Sequence, residues 1–244
     1  MSHHVVSSDE WLAARKKLLE KEKELSRLRD ELTQQRRDLP WEQVEKDYRF
    51  DSANGKETLA DLFGDCNQLV IYHFMFGPDW PEGCKICSMV GDHYDPIVLH
   101  LKARDVNLIT VSRAPLAALD AYKKRMGWSF KWVSSLDSDF NWDYNVSFTQ
   151  EDLDGGRAYY NYQAGVKFPV TEGPGISSFY KDSSGHVFHT YSSFGRGQEN
   201  FLGIYNFLDI VTKGRDEDEL PYGMAWVQQK DRYGDDSVVD PYAK

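Results

Sequence analysis

The sequence predicts a mixed α/β fold, a β-sheet with helices on both faces, preceded by a long N-terminal helix. Three observations predict it. Apolar, β-rich runs alternate with helical patterns through the middle of the chain, as in strands joined by crossover helices. A β-hairpin signal follows them, and one charged helix with a sparse apolar seam precedes them. The 244 residues, 41% hydrophobic and 28% charged, suffice for one large core or two small ones and exclude a disordered or fibrous chain.

The elements follow in order. Ser7 and Glu10 have capping-box spacing, with Val6 and Trp11 placed for a hydrophobic staple, so a helix starts there and ends before Pro40. Trp11, Ala14, Leu18, Leu25, Leu28 and Leu32 recur at spacings of three and four, interrupted at Lys21. This seam reads either as an amphipathic helix packed on its own domain or as the arm of a homodimer. DYRF, SANG and KETL, residues 47–59, read as a hairpin through an Asn-Gly turn. Gln68 to Met75 is a buried strand, followed by the loop GPDWPEG. Ile86, Met89, Val90, His93, Ile97, Val98 and Leu101 keep helical spacing, with a kink expected at Pro96.

Asn107 to Ser112 is a second strand, and Pro115 to Gly127 a helix with Pro in its first turn and Gly at its end. Phe130 to Ser135 is a third strand. Residues 137–173 are irregular and aromatic. Residues 176–193 form the second hairpin around KDSSG, and a helix from Gln198 to Val211 closes the core. The expected division is a helical arm over 1–46, the α/β domain over 47–213 and an acidic surface extension over 214–244.

Cys84-Lys-Ile-Cys87 stands directly after the first core strand, at the opening of its helix, which is the thioredoxin arrangement. Two intervening residues at a helix start bring the sulfurs toward disulfide geometry, and the helix N-terminus favours a thiolate on the first. Cys84 is thus the expected nucleophile and Cys87 the resolving thiol; Lys85 favours the thiolate and Glu82 opposes it. Structural zinc and inert packing are the other readings of the pair. Zinc requires four ligands, and there is no second CxxC. Cys66 lies at the far end of the first core strand, ~25 Å away at ~3.3 Å per residue, which removes it as a ligand or resolving thiol. No cofactor and no metal is expected.

The segments FMFGPDWPEGCKIC, HLKARDVNLITVSRAP, KRMGWSFKWVSS, SDFNWDYNVSF and VFHTYSSFGRG resemble the thioredoxin-like family catalogued as domain of unknown function 899. Its members are labelled predicted dithiol-disulfide oxidoreductases, and the resemblance runs over nearly the whole chain. It implies a thioredoxin-like fold and thiol-disulfide exchange on a disulfide-containing protein or small molecule, with an external thiol as reductant. LITVSRAPLAALDAYKKRMGWSFKWVSS is more distantly similar to peroxiredoxins, which implies a peroxidase as an alternative. Those enzymes place Thr or Ser three residues before the peroxidatic cysteine, where this chain has Pro81. Thioredoxin-fold proteins also carry a cis-proline facing the dithiol; the nearest candidate is Pro174, one or two residues early. A third alternative is a non-enzymatic binding module.

Arg113, after the second strand, is expected at the carboxyl edge of the sheet beside the dithiol, or else as a surface arginine at a helix start. Trp80 reads as a substrate-stacking lid or as a hydrophobic plug. Arg196 is placed either to bind an anion with the last helix or to pair with a local carboxylate. Asp137, Asp139, Asn141 and Asp143 imitate half of a calcium loop, but Trp142 and Phe148 occupy its glycine and final glutamate positions. The net charge of −10 argues against nucleic acids and acidic membranes as partners. The absence of an apolar leader and the three cysteines point to a cytoplasmic, reducing compartment.

Overall fold

A strand whose apolar residues face both ways needs a core on each side of the sheet, and Gln68–His73 is such a strand. The computed structural model describes residues 3–234. The chain divides into two units, Met1–Trp41 and Glu42–Lys244. The first holds α1 (Ser8–Arg37), with the expected capping box: Ser7 Oγ accepts from Glu10 N–H and Glu10 returns a bond to Ser7 N–H. Asp9 and Glu10 in its first turn and Arg36 and Arg37 in its last complement the helix dipole, and none of its residues is buried.

In the second unit β1 (Glu42–Gln43), β2 (Arg49–Ser52) and β3 (Gly55–Thr58) precede β4 (Gln68–His73). Then come α2 (Lys85–Tyr94), α3 (Val98–Lys102), β5 (Val106–Ser112), α4 (Leu116–Met126) and β6 (Lys131–Ser134). The aromatic region contains α5 (Phe140–Asp143), α6 (Gln150–Asp154), β7 (Tyr159–Tyr160) and β8 (Gln163–Ala164). β9 (Gly175–Lys181), β10 (Val187–Phe194) and α7 (Gly203–Leu208) follow.

The main sheet has the order β1-β10-β9-β4-β5-β6-β2-β3. β4, β5 and β6 run parallel, while β9 lies antiparallel to β4 and pairs with β10 as a hairpin. A parallel pair joined by a helix, extended by an antiparallel hairpin on the first strand's other side, is the thioredoxin-like arrangement. On one face Tyr72, Phe74, Leu108 and Trp132 pack beneath α2, α4 and α7. On the other Leu69, Ile71, Ile109, Val111 and Val133 pack against Phe63 of the 3-10 turn Asp61–Phe63 and against Phe140 of α5. Helical cover is long on the first face and short on the second.

Several local expectations are refined. The turn of the first hairpin is Ala53-Asn54, with Gly55 at φ +98° already paired to Ser52. The kink at Pro96 is a 3-10 turn, Asp95–Ile97, between α2 and α3. The single helix expected over Gln198–Val211 is instead a 3-10 segment, Gly195–Phe201, and α7, because Leu202 breaks the helix at φ −100° and ψ 88°. Glu42 and Gln43 pair with β10, so the second unit begins before residue 47. Residues 214–234 are not a surface extension: Val227 and Gln229 are buried, and Val227 belongs to the α2–α4 core.

The second face also holds a polar chain. A β-bulge after His189 turns His189 and Ser192 to one side, where His73 Nε2, Ser177 Oγ, Ser192 Oγ and His189 Nε2 are linked in sequence at 2.8, 2.8 and 2.7 Å. His73 Nδ1 is buried without a hydrogen-bond partner, and burial lowers the imidazole to about 3. The unfolded chain therefore takes up a proton near pH 6.5 that the folded chain refuses. His73 thus contributes stability that is complete above pH ~6.5 and is lost as pH falls toward 3. The stability difference between wild type and His73→Gln, measured by urea unfolding, should move against wild type by about 2 kcal/mol between pH 7 and pH 5. The comparison is made as a difference because Glu172, raised to about 7 by burial, changes stability in the opposite direction over the same range. A pH-independent difference contradicts the assignment.

Candidate active site

The site is built from a strand end, a glycine and a helix start. The chain leaves β4 through Phe74, Met75 and Phe76, all buried, while Phe74 N–H donates to Val111 C=O and Ala114 N–H to Phe76 C=O. These bonds continue the sheet beyond its last regular residue and fix the base of the loop 77–83. At the loop's end Gly83 sits against Phe74 and Tyr122: a Cβ there would lie 2.8 Å from Phe74 Cε1 and 3.0 Å from Tyr122 Cε1. Those rings belong to an aromatic stack with Trp128 and Trp132.

Cys84 is the N-cap of α2, its Sγ accepting from Cys87 N–H at 3.4 Å. That is the geometry in which a helix N-terminus stabilises a thiolate. Met75 binds both cysteines: its C=O accepts from Cys84 N–H at 3.0 Å and its N–H donates to Cys87 Sγ at 3.5 Å. Ser88 Oγ donates to Cys84 C=O and is linked to the Tyr122 hydroxyl. Burial pushes the Cys87 thiol well up, and the adjacent Cys84 sulfur adds to this; Tyr72 and Met75 N–H offset it only in part. No disulfide is present, and Cys84 and Cys87 are 3% and 1% exposed.

Both sulfurs lie at one cavity of about 830 Å³. Its walls are mainly apolar, from Tyr72, Ile86 and Val90 on one side and Phe168, Pro169, Pro174, Leu202, Tyr205 and Met224 on the others; Arg196, Glu199, Arg215 and Glu217 add charges. Each of these charged groups is bound within the protein. Glu199 binds Arg196 and Arg215, and Glu217 accepts from Tyr205 Oη, Met224 N–H and Trp226 Nε1. Glu82, expected to oppose a thiolate on Cys84, is held by Arg125 and Arg232 at 2.9 and 2.8 Å. Lys85 is buried, with Nζ donating to Ala225 C=O and lying over the Tyr222 ring.

Of the residues singled out in the sequence, Cys84, Cys87, Pro174 and Arg196 line this cavity. The peptide bond before Pro174 is trans. Arg196 lies within a 3-10 segment, so no helix N-terminus joins it; it pairs with Glu199. Trp80 is half-buried and folded over Gly77, outside the cavity lining, in the manner of a plug. Arg113 is turned to a different cluster: it binds the buried Glu172 at 3.1 Å and stacks on Trp142 at 4.2 Å. Glu172 also accepts from Ser147 Oγ, and desolvation holds its carboxyl near 7. This ion pair spans 59 positions, so nothing near Arg113 in the sequence signals it.

Residues 214–234 were missed as part of the site. Tyr222 and Met224 wall the cavity, while Lys230, Asp231 and Arg232 bind Asp92, Arg125 and Glu82. Trp226 and Val227 within the acidic tail are the available signal, since two adjacent large apolar residues indicate a segment that packs. Cys66 is buried beside the 3-10 turn before β4. Among the described residues, no group of three or more His, Cys, Asp or Glu is arranged to hold a metal ion, and no helix is long and apolar enough to cross a membrane.

A thioredoxin-like domain with a vicinal dithiol at the start of its first core helix is the class that fold and site define. The chain matches the family described as bacterial protein of unknown function (DUF899) over residues 1–233, and it belongs to that family. No curated protein matches it. Among solved structures it is similar to a PrxQ variant of Xylella fastidiosa, at 14% identity over 68% of this chain and 94% of that one, with TM-score 0.42. It is also similar to peroxidoxin BcpB of Mycobacterium tuberculosis, at 11% identity over 67% and 93%, TM-score 0.44. Peroxiredoxin Q of Xanthomonas campestris gives 15% identity over 65% and 90%, TM-score 0.43.

The contact at Gly83 yields a direct test of how the dithiol is positioned. Gly83→Ala forces a methyl group against Phe74 and Tyr122, and should destabilise the fold by about 1–3 kcal/mol in urea unfolding. It should also change the alkylation rate of Cys84, because the residue carrying that sulfur follows directly. An unchanged midpoint together with an unchanged rate would contradict the role given to this contact.

Proposed function

We propose that the protein is a dithiol-disulfide oxidoreductase. The observation that carries this reading is the unequal treatment of two adjacent sulfurs by one strand end and one helix start. Cys84 is the N-cap of α2, its Sγ accepting the Cys87 N–H at the helix N-terminus, whereas Cys87 lies inside the first turn, where burial and the neighbouring Cys84 sulfur push its thiol up. Cys84 thiolate attacks a substrate disulfide, forming a Cys84–substrate disulfide and releasing the first substrate thiolate, which takes up a proton. Cys87 then loses its proton and attacks Cys84 Sγ, releasing the second substrate thiol and leaving the Cys84–Cys87 disulfide. Two electrons pass from protein to substrate, and an external thiol restores the dithiol.

The supporting features lie around the pair. Met75 places both cysteines with its own backbone. The cavity gives a substrate sulfur a route to Cys84. The Arg125 and Arg232 guanidinium groups compensate Glu82, the nearest carboxylate in the sequence before the pair.

The roles are separated by an aromatic disulfide reagent, 5,5′-dithiobis(2-nitrobenzoate), whose released thiolate is coloured. In a Cys66→Ser background the dithiol should release two coloured thiolates and end as a Cys84–Cys87 disulfide. Cys87→Ser should release one and keep the adduct on Cys84. Cys84→Ser should react at least about tenfold more slowly, since its remaining thiol is buried and raised. An adduct on Cys87 in the presence of Cys84, or equal rates for the two variants, would reverse the roles. Absence of reaction in every form would remove the oxidoreductase reading.

A further inference from the structure

We infer that the substrate of this dithiol is a small amphipathic disulfide, with an apolar body seated against the cavity wall and a carboxylate end held at Arg196. The inference rests on the oxidoreductase reading and specifies its substrate class.

Size comes first. Cys84 is 3% exposed and lines the cavity, which favours a small molecule over a disulfide fixed on the surface of a folded protein. A volume of about 830 Å³ is that of a small-molecule site. Polarity comes second. Ile86, Phe168, Leu202, Tyr205 and Met224 line the approach, and of the cavity's charged groups Glu199, Arg215 and Glu217 are engaged within the protein, which leaves Arg196 alone for a substrate charge. A tripeptide disulfide such as oxidised glutathione carries several charges that would lose water against these walls without replacement. An aliphatic or aromatic body loses nothing there and gains from leaving water.

Charge comes third. Arg196 belongs to the cavity lining, yet its side chain is 87% exposed. Its contacts to Glu199 use Nε and Nη2, leaving Nη1 for a second anion. Glu199 also binds Arg215 at 3.1 Å, so its charge is divided between two guanidinium groups and Arg196 is only partly neutralised. Arg196 and Cys84 line the same cavity, so the proposed substrate directs its compact disulfide to Cys84 and its acid to the exposed arginine. Cys84 attacks one ring or chain sulfur, the other leaves as a thiol, and Cys87 completes the exchange.

The test compares four disulfides by stopped-flow oxidation of the full-length dithiol: lipoic acid, lipoamide, oxidised glutathione and insulin. Lipoic acid and lipoamide should exceed the other two by about tenfold or more in second-order rate constant, the discrimination an apolar pocket provides. A faster reaction with oxidised glutathione or insulin overturns the inference. If all four are inert while the aromatic reagent still oxidises the pair, the substrate class is wrong and the oxidoreductase reading stands.

Two variants probe the walls. Met224→Glu should lower the ratio of lipoamide to 2-hydroxyethyl disulfide rate constants by about fivefold or more, because only the larger body needs that wall. Arg196→Ala should lower the ratio of lipoic acid to lipoamide. Unchanged ratios in both variants place the substrate elsewhere and overturn the inference.

Discussion

The main-chain groups of Met75 are the constraint on which the site depends. Its C=O takes the Cys84 N–H and its N–H reaches the Cys87 sulfur, so one residue beyond β4 sets where α2 begins and how deep its second cysteine lies. Met75 can do this only because the strand is continued past its regular end. Phe74 N–H and Ala114 N–H bond to Val111 and Phe76, and Ser112 Oγ donates to Phe74 C=O. The aromatic stack beneath then closes on Gly83 from the other side. A dithiol positioned by backbone groups and aromatic rings keeps its geometry as the surrounding charges change.

The charges nearby are arranged to leave the pair undisturbed. Glu82 and Arg125 form a cluster with Asp231 and Arg232, so opposite signs meet at the surface. Lys85 is drawn to a backbone carbonyl and an aromatic face. The segment after residue 213 is responsible for much of this: it brings Tyr222, Ala225, Asp231 and Arg232 onto α2 and α4 while Met224 walls the cavity. The acidic composition that suggests a solvated tail therefore belongs to a segment that packs, with Glu217 and Asp231 bound to partners.

What the sequence made legible was local. The apolar run from Gln68 to Met75, the cysteine spacing at a helix opening, and Pro115 and Gly127 at the ends of α4 each carry their signal within a few residues. Gly127 takes φ +66° and Gly185 φ +86°, as turn positions require. What was not legible depended on distance along the chain. Arg113 has an unambiguous charge, but its partner Glu172 is 59 positions away, and nothing in the strand that precedes it points there. The helix expected over 198–211 breaks where Leu202 leaves helical geometry just before Gly203, which periodicity alone does not register. The cavity itself arises from four separated segments, so only Cys84, Cys87, Pro174 and Arg196 were reachable from motif and position.

The central claim is that Cys84 and Cys87 form a reversible redox pair while Cys66 stands apart. A redox titration of the full chain against defined ratios of oxidised and reduced dithiothreitol, read by intact mass and peptide mapping after alkylation, tests it directly. The account predicts one reversible two-electron transition that joins Cys84 to Cys87 and leaves Cys66 alkylatable as a thiol throughout. A disulfide involving Cys66, or a pair that stays reduced across the whole range, would contradict it.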